Sequence, residues 1–243
     1  MLAATQDIVG HIHRVNALKN LAEKMGQMPA IHQLQQWQCE RLLVTHSDLA
    51  QQPAYQQAMA FFVEELYGPK DFSQRDADIA RVVPKLAKVL PNTAMNALND
   101  ALALNALSFE LDQKMVSALE GKSLHDEPRN NDIYAMAYRQ VGEQEARERQ
   151  IAIIRDLGHQ LADVINIRGI GMLIPLSRRP AKLAGLLSLH EFLQRGYETF
   201  KKLGDVNSFI DPVIAREEQI MLQLFQTNFD LETENPIPHV PTL

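Results

Sequence analysis

The sequence lacks most of the residues that announce a chemistry. It holds one cysteine, Cys39, and one tryptophan among 243 residues. A single cysteine cannot form an internal disulfide, which points to a reducing compartment. No run of about 20 apolar residues exists to cross a membrane. The nearest approaches are Val164–Ile174, interrupted by Arg168, and Leu183–Leu189, which is too short. The first residues show no basic stretch followed by an apolar core, so a signal peptide is not expected. No Lys/Arg-rich arm is present and the formal net charge is −6, which gives no general attraction to a phosphate backbone. The expectation is a cytoplasmic protein with no nucleic-acid partner and no transmembrane segment. With 46% apolar and 22% charged residues, the chain is neither disordered, collagen-like nor a disulfide scaffold.

Strands are also missing from the pattern. No stretch alternates with period two, and apolar residues recur at helical spacing nearly throughout. Ile8, Ile12, Val15, Leu18, Ala22 and Met25 step by three or four. Leu34, Trp37, Arg41 and Leu42 run along a second helix, from about Ile31 to Thr45, and a third covers about Ala54 to Tyr67. A helix from Ser73 to about Leu90 contains Pro84. A long element from Thr93 to Leu119 is apolar on most sides, so it is expected at the centre. The polar stretch from Gly121 to Asn131 reads as a loop or hinge. Further helices are expected at about 132–141, at 143–168 up to the break at Gly169, Gly171 and Pro175, at 180–203 with Pro180 in the first turn, and at 206–225. The fold expected is all-α, a single-domain bundle of about eight to ten helices with no sheet. It spans 1–227, with a possible N-terminal layer (1–120) on a C-terminal one (129–227). The acidic, proline-rich stretch 228–243 reads as extended or disordered.

One junction is written more sharply. Tyr67-Gly68-Pro69 stops a helix, and Ser73-Gln74-Arg75-Asp76 reads as a cap with an acidic third residue. The stretch from Phe61 to Asp76, with its pattern FF-x-x-x-LYGP-x-DFS-x-RD, resembles the hallmark of an uncharacterised all-helical family of proteobacteria. Cys39-Glu40-Arg41-Leu42-Leu43-Val44-Thr45-His46 and Arg216-Glu217 are similar to that family too. The resemblance implies a bacterial helical protein and transfers no catalytic residue. Arg75 and Asp76 could still join a polar site, since Arg and carboxylates make strong bidentate contacts.

Few constellations point to catalysis. Di-iron bundles need Glu-x-x-His pairs, and the nearest approach is Asp156, His159 and Asp163, placed by spacing on a solvated face. His125-Asp126 matches the dipeptide of helical phosphohydrolases but lies in a polar segment without an apolar frame. Cys39 and His46 share a helix face yet stand about 10 Å apart along the axis, too far for a thiolate–imidazole pair, so Cys39 reads as a core residue. A haem-oxygenase-like alternative would use His11 or His13 as axial ligand and the Gly169/Gly171 break as a distal cleft. Asn105 and Ser108, on the central helix, read as satisfied polar groups or pocket linings.

Between Val164 and His190 there is no acidic residue, while Arg168, Arg178, Arg179 and Lys182 are all basic. This stretch could hold an anion at the helix N-terminus near Pro180, or meet a partner or membrane surface through its Ile, Leu and Met residues. It could equally be a solvated basic patch. The function expected is non-enzymatic binding or regulation through Arg168–Lys182 and the acidic, proline-rich tail, with no metal or cofactor, in a homodimer. A haem- or metal-dependent helical enzyme is the alternative.

Overall fold

The computed structural model describes residues 2–61, 92–183, 186–226 and 230–241. All regular structure among them is helical: α1 (Leu2–Lys24), α2 (Met28–Thr45), α3 (Ser47–Ala50), α4 (Gln56–Phe61), α5 (Asn92–Ala118), α6 (Asn130–Val141), α7 (Gln144–Val164), α8 (Ile170–Leu183), α9 (Leu187–Leu203), α10 (Asn207–Phe225) and α11 (Leu231–Glu234). The all-α bundle without a sheet is the architecture that the apolar spacing dictates. The Tyr67-Gly68-Pro69 stop, the Ser73–Asp76 cap, the helix through Pro84, and Arg75 with Asp76 lie outside the described residues.

The long central helix is where its composition places it. α5 packs on α1, α2, α6 and α7, so a helix apolar on several sides finds a neighbour for each. The stripe of α1 is buried as its spacing requires, at Ile8, Ile12, Val15 and Ala22, and its end at Met25 emerges into solvent. Gly26 takes φ +67° directly after that helix, a conformation that terminates it with little strain.

Among the described residues two main apolar clusters form. One gathers Leu34, Trp37, Met115, Tyr134, Tyr138, Met221 and Leu224. The other gathers Met59, Phe61, Phe200, Phe209, Ile210 and Ile214. Each draws on residues before 120 and after 129, so the two segments share their cores. α10 runs through both clusters, and half-buried Ile151 of α7 touches both. At the α7–α10 crossing Gly158 is buried, and an added Cβ would stand 2.6 Å from Cγ2 of Ile210. Only a residue without a side chain permits that approach.

The end of the C-terminal stretch carries no helix, and it is packed against the bundle. Ile237 and Val240 are buried. Asn130 Nδ2 donates to the Val240 carbonyl at 2.7 Å, and Asn131 Nδ2 donates to that of Ile237 at 3.3 Å. Two apolar anchors and amide donors on α6 hold a proline-rich segment that has no helical bonds of its own.

The region after Gly169 is also arranged differently from the sequence reading. Pro180 does not open a helix. α8 begins at Ile170 and carries both Pro175 and Pro180 inside it, and α9 starts afresh at Leu187. Proline frees the carbonyl four residues back. For Pro180 that carbonyl belongs to Leu176, which is exposed, so water can satisfy it and the helix continues.

Candidate functional site

Among the described residues two regions concentrate polar chemistry, and they are built in opposite ways. The first is buried. Ile210, Ile214, Met221 and Leu224 form the inward stripe of α10, and the position that completes the spacing between Ile214 and Met221 is Glu217. A carboxylate in a core stripe requires compensation. Arg41, reached from the inner face of α2, places Nη1 2.6 Å from both carboxylate oxygens. His46, 1% exposed, donates from Nε2 to Oε1 at 2.9 Å. Burial alone would raise Glu217, but the Arg41 charge and the hydrogen bonds from His46 and Arg41 outweigh it and hold the carboxyl at about 2.

Arg216, the next residue along, spans the exit of the same helix pair. Its guanidinium donates to the Thr45 carbonyl at 2.7 Å and reaches Asp48 through Nη1 at 2.7 Å and Nη2 at 2.9 Å. That fork, with its hydrogen bonds as the largest effect, keeps the exposed Asp48 carboxyl near 2 as well. Thr45, Arg216, Gln223 and Pro238 line an open groove of about 340 Å³ above the knot. The segments Glu40–His46 and Arg216-Glu217, far apart in sequence, therefore meet through these four side chains. A carboxylate held near 2 is a poor proton acceptor at neutral pH, and both arginine heads are engaged. The arrangement braces α2 against α10.

Asp112 was not singled out by its sequence context. It is buried on α5, accepting from Gln35 Nε2 at 3.0 Å and Gln38 Nε2 at 3.3 Å. Burial raises its carboxyl, and those bonds together with the nearby Arg147 charge offset only part of the effect. Arg147 itself lies over the Tyr138 ring, 4.6 Å from its centroid. Asp112 shares α5 with Asp100 and Glu110 and carried no distinct signal, whereas the signal for Glu217 was an acid on the stripe. Neither spacing says which basic group will arrive from another helix.

The second region is α8, and nothing on it is buried. Arg168, Arg178, Arg179 and Lys182 are all exposed. Arg178 pairs with Glu191 of α9 at 3.1 Å. Because α8 runs to Leu183, Lys182 sits in its last turn and Arg178 and Arg179 in the turn before. The basic residues thus lie toward a helix C-terminus, where cations complement the dipole, and an anion seat on a helix N-terminus at Pro180 does not form. α8 packs chiefly on α9. Nε2 of His190 donates to the Ile174 carbonyl at 2.7 Å, and an added Cβ on Gly171 would overlap the Tyr197 hydroxyl.

The remaining candidates are dispersed. His11 is half-buried and His13 exposed on α1. His159 faces Asp211 at 3.1 Å in solvent, with Asp156 and Asp163 also exposed. His125 lies against α2, with Nε2 3.2 Å from the Gln33 carbonyl. Ser108 accepts a hydrogen bond from Gln150 at 2.8 Å and so is satisfied. Cys39 is buried, and burial, then the charges of Glu40 and Asp112, push its thiol up to about 12. Among the described residues no three His, Cys, Asp or Glu side chains converge as a ligand group, and no helix is long and apolar enough to cross a membrane.

A family model described as "Domain of unknown function (DUF8198)" matches residues 17–230. The chain belongs to this family. The match takes in both Glu40–His46 and Arg216-Glu217, and it accords with the resemblance to a family of unassigned function. No curated protein and no solved structure matches the chain.

Proposed function

We propose that this chain is a non-enzymatic helical binding protein whose recognition surface is α8. The carrying observation is the exposure of Met172, Leu173, Leu176 and Leu183, at 70, 64, 73 and 84%. These side chains stand together on one short helix beside Arg168, Arg179 and Lys182. Single exposed apolar residues are ordinary, whereas a contiguous cluster on one element marks a contact site. The buried charges support the same reading. Arg41 neutralises Glu217, and His46 adds a hydrogen bond to it, so the polar interior has the character of a brace rather than of a reaction centre. The setting we propose is the cytoplasm of a bacterial cell, and the assembly a homodimer, the commonest closed oligomer.

A photo-crosslinking amino acid placed at position 176 tests the recognition surface, with position 149, exposed on α7, as the control. The reading expects a discrete adduct from position 176 and none from position 149. Equal labelling from both positions, or none from either, overturns it. Sedimentation analysis of the purified chain decides the dimer separately.

A further inference from the structure

α8 has two apolar faces. At 100° per residue, Ile170, Ile174 and Ala181 fall within about 40° of one another, and this is the half-buried side that rests on α9. Met172, Leu176 and Leu183 fall within a second sector of about 40° on the opposite side, and all three are exposed. Arg178, Arg179 and Lys182 occupy the angle between the two sectors, and Leu173 and Pro180 border the outer one on its other edge. The outer face is therefore a convex apolar ridge with a row of cations along one flank.

Charge chooses the occupant. Between Val164 and His190 the chain carries four basic residues and no acidic one, within a molecule whose formal net charge is −6. A second copy meeting this face about a two-fold axis would set the patch against itself, bringing the same cations together. An anionic lipid surface does the reverse. Phosphate headgroups meet the arginines and lysine while the Met and Leu side chains enter the acyl boundary, the manner in which interfacial helices bind. A ridge, rather than a groove, also suits a plane better than a partner helix.

We propose that α8 is an in-plane anchor that docks the bundle on an anionic lipid surface, an inference that rests on α8 being the recognition surface. The length of α8, 14 residues, excludes spanning and suits lying flat.

Flotation of the full chain with vesicles tests the anchor, using phosphatidylcholine alone and phosphatidylcholine mixed with phosphatidylglycerol. The expected result is a vesicle-bound fraction about tenfold higher on the anionic vesicles, falling as salt is raised. Leu176→Asp with Leu183→Asp, and separately Arg179→Glu with Lys182→Glu, are expected to reduce it to the neutral-vesicle level. All four side chains are exposed, so an unchanged thermal midpoint shows that the fold survives. Absence of binding to anionic vesicles overturns the anchor, as does binding that the variants leave intact. Sedimentation without lipid separates the two readings. If the chain ignores vesicles but self-associates in a manner that Leu176→Asp abolishes, the lipid inference falls and the recognition surface stands. A crosslinking result that overturns the recognition surface overturns the anchor with it.

Discussion

The middle of α10 and the outer face of α8 each combine charge with apolar side chains, and they resolve the combination differently. On α10, half-buried Glu217 sits between Ile214 and Met221 on the inward stripe, and one other segment, Glu40–His46, delivers both Arg41 and His46 to it. On α8, the Leu and Met side chains face water and only Arg178 among the cations has a partner among the described residues. The comparison teaches that a charge on an apolar stripe is structural where the fold brings a counter-charge. An apolar stripe beside charges is available for binding where the fold brings nothing.

Substitutions can break this contrast, and the largest effect is expected at the knot. Glu217→Ala should lower unfolding free energy by about 4 kcal/mol, because Arg41 is left buried without its main counter-charge. Chemical denaturation measures it, and a loss under about 1 kcal/mol would show that the knot behaves as a surface pair. Leu224→Ala should cost about 3 kcal/mol, since the side chain is buried and a cavity remains, and the same measurement checks it.

The pH response sharpens the contrast at an intermediate level. Glu217 is held at about 2 against an ordinary value of 4.5, so the unfolded chain binds the extra proton between those values. Its stabilisation is complete above 4.5 and is lost as pH falls through that window toward 2. Acid titration of the wild type should show this decline, and Glu217→Gln, starting from a lower stability, should show a shallower slope over the same range. Asp112 works with the opposite sign. Its carboxyl is raised by burial, so its burden is greatest at neutral pH and lifts on acidification. Asp112→Asn should therefore gain about 1 kcal/mol at pH 7, with the gain shrinking as pH falls toward 4. A destabilised Asn variant at pH 7 would mean that the Gln35 and Gln38 hydrogen bonds outweigh the desolvation.

The smallest effect belongs to α8. Leu176→Ala and Leu183→Ala should each change stability by less than about 0.5 kcal/mol, as both side chains are solvated already. A thermal midpoint that drops by several degrees would show that these residues are packed, and would remove the surface on which recognition is proposed.

Much of the fold was legible because helices announce themselves by spacing. The stripe Ile8, Ile12, Val15, Ala22 is buried where the pattern put it, and the central position of α5 follows from its composition. The boundaries at Pro180 were not legible, since whether a proline begins or interrupts a helix depends on whether the freed carbonyl can reach water. The tail was read from its prolines and acids, whereas Ile237 and Val240 are held by Asn130 and Asn131, more than a hundred residues away in sequence. Of the candidate site, the basic run Arg168–Lys182 was visible as a run. Its Ile, Leu and Met neighbours were visible too, but which of them stay exposed depends on the side that α9 covers.

The order of residues alone settled that this chain is helical, because repeats of three and four leave no other way to bury so much aliphatic surface. Tertiary structure alone decided what each charge does. Glu217 and Arg179 look alike as letters near apolar neighbours, and the difference between a neutralised core acid and a solvated surface base lies in whichever groups the rest of the chain brings within a few ångströms.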